Sequence, residues 1–256
     1  MRRLFPLVAL LALTLATSAH AIPPAFPGCN LRWDHCYGDG GVLNKNATCD
    51  TNTGSETLVA SFDLPSLLPG VSGIEVVIDL ASAGASLPAW WQFKNVGSCR
   101  QASLVANSIP VDGPATFCPD WAGGHELGGL AAYQLGYHGP TTARILTAWA
   151  VPQNALATLN ALQEYFAQTL RIDYQKTVGT GACAGCSTPV CIVFSSVNVV
   201  PGTNPGVKLI GPANGTDSNF ATWQGGAGVG SALGAGCPAA TPTRKNTWGE
   251  VKALYR

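Results

Sequence analysis

The chain predicts an all-β protein: an antiparallel β-sandwich with one short helix and a disulfide-stapled, loop-rich N-terminal head. Three observations predict it. Period-2 alternation of apolar and polar residues recurs along the middle of the chain; glycine (30) and proline (18) are abundant while charged residues make up only 11%; and all nine cysteines follow an export leader. A chain of this length buries one sizeable core as a single sandwich.

The leader fixes the compartment. Arg2 and Arg3 precede an apolar run over residues 4–16, and Ala19-His20-Ala21 has the small-x-small pattern of a cleavage site. The run is shorter than the roughly 20 residues that span a bilayer, so residues 1–21 are expected to be a removed signal peptide. The mature chain then begins at Ile22, with no membrane span, as a secreted or extracellular protein. Without the leader's two arginines, twelve basic residues face fourteen acidic ones, a net charge of −2. That balance, with no basic run before the last dozen residues, excludes nucleic acid and polybasic attachment to anionic lipid.

Residues 22–54 form the head, with Cys29, Cys36 and Cys49 among many Gly, Asn and Asp and no sustained periodicity. The cysteines are expected to hold it. The sandwich runs over 55–224. Residues 57–64 and 74–80 read as strands, the second with Ile74, Val76, Ile78 and Leu80 on one face and Glu75, Val77 and Asp79 on the other. Residues 90–93 (WWQF) and 102–108 are shorter strand candidates, and Cys99 and Cys118 flank the second, where a bridge would close a short loop. Residues 129–135 and 142–151 resume the alternation until Pro152 breaks it. Asn154 then caps a predicted helix over 154–163, with Leu156, Leu159 and Leu162 at three-residue spacing. Residues 165–178 and 190–200 are long strands, and 207–210 and 219–224 are read as edge strands. A Gly/Ala/Pro linker at 225–246 contains Cys237, and 247–256 is a short basic tail in which Thr247 and Glu250 make a capping-box pattern.

The segments TLVASFDL, GIEVVIDL, TARILTAWAVP, EYFAQTLRIDY and CIVFSSVNVV are similar in order to the strand layout of cohesin-type and related carbohydrate-module sandwiches. That likeness implies a jelly-roll or cohesin-like sandwich serving binding or assembly, and it carries no functional residue with it. The head NLRWDHCYGDGG, the cluster CAGCSTPVC and the ending TWGEVKALYR also resemble secreted bacterial proteins that carry no assigned activity.

Cys183, Cys186 and Cys191 form the tightest thiol cluster. No helix pattern begins at Cys186 to activate a redox thiol, and zinc would need a fourth ligand, from Cys237 or from His35, His125 or His138, that no spacing supplies. A local bridge from Cys191 to Cys183 or Cys186 is expected instead. Three thiols here and three in the head are two odd groups, so a bridge between them is the other expectation. His125-Glu126 lacks a second histidine one helical turn on, since position 129 is Gly. Asp50, Asn52 and Glu56 supply half of a calcium loop, with Gly54 where a further ligand belongs. Glu75, Asp79, Glu126, Glu164 and Asp173 are the acids from which a hydrolase would draw a carboxylate pair, although the period-2 placement of Glu75 and Asp79 reads as a solvated face. Trp90 and Trp91, adjacent in a predicted strand, point to opposite faces, so one is expected in the core while the other either is covered by the Cys99 loop or the head or offers an indole for stacking on a sugar or a partner side chain. The sequence therefore predicts a binding, adhesion or surface-assembly module without cofactor or bound metal, its partner a glycan or another envelope protein. An extracellular polysaccharide or peptide hydrolase is the alternative.

Overall fold

The computed structural model describes residues 26–112, 117–202, 205–214 and 217–226. The predicted signal peptide, the C-terminal tail and all but the first two residues of the linker lie outside them. Twelve strands form two sheets. The smaller contains β1 (Gly28–Trp33), β3 (Ser55–Asp63), β9 (Glu164–Asp173) and β5 (Leu104–Asn107), in that spatial order. The larger runs β2 (Asn44–Lys45), β12 (Phe220–Trp223), β10 (Val190–Pro201), β4 (Leu68–Ser82), β7 (Thr142–Ala150), β6 (Leu127–Leu135). β11 (Val207–Ile210) pairs with β10, and β8 (Ala157–Leu159) pairs with β4.

The alternation in β4 sends Ile74, Val76, Ile78 and Leu80 inward, where they meet Leu31, Leu58, Phe62 and Leu170 from the smaller sheet. In β10 the inward residues are Ile192 and Phe194, then Val197 and Val199, so the inward parity changes midway. A bulge at Ser195 absorbs the change: the register with β4 slips between Phe194 and Ser196.

Three sequence expectations are corrected. Residues 28–33, assigned to a loop-rich head, are strand β1, every residue of it buried, because its apolar positions pack into the same core as β3. The helix over 154–163 does not form; a 3-10 turn at Gln153–Ala155 leads into β8, where Leu68 pairs with Leu159. Leu159 is buried while Leu162 is half exposed, so the leucines never share one face. β12 is not an edge strand but lies between β2 and β10.

The disulfides also depart from the local pairings expected. Cys36 bonds Cys118, Cys49 bonds Cys186, and Cys99 bonds Cys183. Cys99 is thus not joined to Cys118, and Cys191, itself disulfide-bonded, is not joined to Cys183 or Cys186. The expected bridge between groups exists: Cys49–Cys186 ties the head to the thiol cluster. Cys29 is free and buried, and Cys237 lies outside the described residues.

Candidate functional site

Neither Trp90 nor Trp91 is the exposed ring that the sequence allowed. They lie in a 3-10 turn (Ala89–Trp91) following Pro88, and both are fully buried. Without strand pleating the two rings turn to the same side, meeting at 5.1 Å and packing on Trp223 at 5.3 and 5.5 Å. Arg100, itself buried, lies 3.6 Å over the Trp90 ring and donates to the carbonyls of Trp90, Asp173 and Gln175. Neither indole has a face to offer a ligand.

The outer face of the larger sheet is where polar side chains reach solvent together. In β4 the outward residues are Glu75, Val77 and Asp79, and the antiparallel register sets them opposite Ala148, Leu146 and Arg144 of β7. Directly opposed residues share a face, so Asp79 and Arg144 meet. The guanidinium donates twice to the carboxylate, at 2.7 Å each, and the Ser195 hydroxyl donates to the same carboxylate at 2.7 Å. Ser195, next after the inward Phe194, falls on this face by ordinary strand alternation, and the bulge changes the parity only beyond it. Burial works against the Arg144 charge, but the Asp79 hydrogen bond and charge outweigh it and hold the guanidinium above its ordinary range.

The turn joining β6 to β7 completes this end of the face. Tyr137 lies against Arg144, its ring centroid 3.6 Å from the guanidinium carbon, and His138 packs edge-on to Tyr137. Nη2 of Arg144 lies 3.2 Å from Nε2 of His138, and that nitrogen is 3.7 Å from the Asp79 carboxylate. Tyr137 and His138 are each about half exposed, at 49% and 45%.

At the opposite end of the face a hollow of about 300 Å³ opens beside Glu75. Its floor is made of small residues, Gly73, Ala148 and Ala150, between the walls of Leu127 and Val200. Gly73 is required there: a Cβ would stand 2.7 Å from the Trp149 carbonyl oxygen. Glu75 accepts from the Asn198 amide at 3.2 Å and is exposed. Four residues of strand, about 13 Å, separate this end from the Asp79–Arg144 pair. Val77 and Leu146, both half-buried, lie between. Polar groups at both ends of an apolar strip suit a ligand with ring faces and many hydroxyls.

The acids named as a hydrolase pair do not converge. Glu75 and Asp79 are separated by about 13 Å along one strand, beyond the roughly 5–9.5 Å that glycoside hydrolysis uses. Glu126 and Glu164 are buried, Glu164 on the other sheet, and Asp173 pairs with Arg171 at 3.2 Å. The half calcium loop is engaged within the protein: the Asn52 amide oxygen accepts from the backbone of Thr177 and Val178, and Glu56 accepts from Tyr174 and Lys45. Asp50 accepts from Thr48. The thiols of Cys183 and Cys186 are spent on disulfides and have no lone thiolate for zinc.

A second polar cluster, absent from the sequence reading, lies on the outer face of the smaller sheet beneath the head. Asp63 accepts from Asn30 at 2.9 Å, and the Asn214 amide donates to Asn30 at 3.2 Å. Glu164, directly across the ladder from Asp63, accepts from the Ser61 hydroxyl and from the backbone of Tyr37 and Gly38. Burial and the Glu164 charge push Asp63 up to about 7. This layer fastens the head, with Asp63 and Glu164 both buried.

Comparison with known protein families, characterised proteins and solved structures finds no match for this chain. The likeness to cohesin-type modules is therefore one of strand pattern alone.

Proposed function

We propose that the protein is an exported binding, adhesion or surface-assembly module without catalytic activity, and that the outer face of the larger sheet holds a glycan of the cell envelope. The observation that carries this reading is one face presenting, in line, the Tyr137–Arg144–Asp79 assembly, an apolar strip and the hollow beside Glu75. The disulfides support export, since such bonds persist in oxidising compartments, and residues 1–21 have the pattern of the signal that would direct it.

A glycan array followed by calorimetry tests the reading. Tyr137→Ala removes the aromatic platform, and Ala148→Trp fills the floor of the hollow from a solvent-facing position. Each is expected to weaken binding about tenfold or more while leaving the thermal midpoint within a few degrees. A wild-type protein with no affinity on the array and none in a pull-down from envelope material would end the proposal.

A further inference from the structure

One end of the sandwich presents apolar side chains that the core does not take up. Four segments reach that end. Gly28 of β1 is in register with Asp63 of β3, so Phe26 and Pro27 run past that strand end. The β3–β4 turn, residues 64–67, lies beside the β8–β9 turn, residues 160–163, through the bond from Leu162 N–H to the Leu64 carbonyl at 2.9 Å. Phe117 joins them through the Gln163 side chain, which donates to its carbonyl at 2.7 Å. Phe26, Leu67, Phe117 and Leu162 are 58, 57, 63 and 52% exposed.

Leu162 adds an independent observation. Its φ is 54°, in the left-handed region where leucine is strained and asparagine is comfortable. An exposed leucine is therefore held where a polar residue would suit the backbone better, which fits a side chain kept for an external contact.

We propose that this end docks on a lipid bilayer, with these four side chains entering the interfacial region. The segments 26–27, 64–67 and 160–163 and Phe117 contain no charged residue. Asp63 and Glu164 lie buried beneath them, and Asp39, accepting from the Phe117 N–H at 3.0 Å, is the acid at the rim. No attraction to anionic headgroups is offered, so insertion is driven by apolar burial. The four tips present on the order of 400 Å², well short of the roughly 800 Å² per partner of a stable protein interface, which argues against a second copy as occupant. Separate turn tips also suit shallow insertion better than a flat protein contact. The surface is distinct from the glycan-binding face, and the two proposals stand or fall separately.

The test is co-sedimentation of the exported protein with neutral phosphatidylcholine vesicles, its N-terminus first read by mass spectrometry to establish that no leader remains. Binding is expected to be weak, with a partition constant on the order of that of one myristoyl chain, about 10⁴ M⁻¹, and unchanged by added salt. The double variant Leu67→Ser, Leu162→Asn is expected to bind about tenfold less, with Leu162→Asn alone leaving the thermal midpoint unchanged or higher. The proposal is overturned if the wild type stays in the supernatant, if only anionic vesicles bind and salt releases them, or if sedimentation velocity shows a dimer that the double variant dissolves.

Discussion

Asp63 has no exposed surface, and its hydrogen-bond partners among the described residues are the neutral amides of Asn30 and Asn214. Its carboxyl, ordinarily at 3.8, is pushed to about 7 by burial and by Glu164. Between those two values the folded chain holds a proton that the unfolded chain has released, so stability falls as pH rises, by at most about 1.4 kcal/mol per pH unit for this group. Glu164, raised chiefly by burial, and His35, raised chiefly by its hydrogen bond with Asp112, act with the same sign. The urea midpoint is therefore expected to be higher near pH 5 than near pH 8, and Asp63→Asn should remove much of the difference. A midpoint that rises with pH in the wild type would contradict this account. Cys29 offers a second residue-level test. Burial drives its thiol far above the ordinary range, so alkylating reagents are expected to leave it unmodified in the folded protein and to reach it only after unfolding.

Among the elements, those whose own residues determine their placement were legible in the sequence. The alternation of residues 74–80 and the β-branched run of 190–200 became the central strands β4 and β10, and 207–210 is β11 as predicted. What failed depends on partners distant in the chain. The leucines at 156, 159 and 162 carry helical spacing, but pairing with Leu68 draws 157–159 into a strand. The two tryptophans were assigned a pleat that Pro88 and the turn after it do not provide. In the candidate site Asp79 was read as an outward acid, correctly, yet its partner Arg144 is 65 residues away and only the β4–β7 register brings them together. The turn YHGP that carries Tyr137 and His138 was visible as a break between two strands, without any sign of what it faces. Arg100 shows how much of an element's stability rests on such pairings. It holds the Trp90 turn to the end of β9 through three backbone carbonyls, so Arg100→Ala is expected to cost about 3 kcal/mol or more, and Arg100→Lys to recover only part of that. Urea unfolding of the two variants checks the order; equal stability of all three proteins would show that the buried guanidinium is dispensable.

At the scale of the whole molecule, three bridges between described residues tie together parts distant in the chain. Cys36–Cys118 ties the head to the segment after β5, Cys49–Cys186 ties it to the loop before β10, and Cys99–Cys183 ties the turn after the buried tryptophans to that same loop. They span 82, 137 and 84 residues, all long closures. In the chain-entropy model each restricts the unfolded chain by roughly 4–5 kcal/mol, so even with partial overlap the three together approach or exceed 10 kcal/mol. A domain of this kind has a net stability of about 5–15 kcal/mol, which is the same magnitude. Reduction should therefore remove most of the margin, and the reduced chain is expected to show either no cooperative thermal transition or one lowered by tens of degrees. Because Cys49–Cys186 closes the longest loop, its replacement by a pair of alanines should destabilise more than the same change at Cys36–Cys118. Circular dichroism melts of the oxidised, reduced and two double-alanine proteins separate these outcomes. A reduced chain that melts cooperatively near the oxidised midpoint would mean that the packing between the two sheets carries the fold by itself.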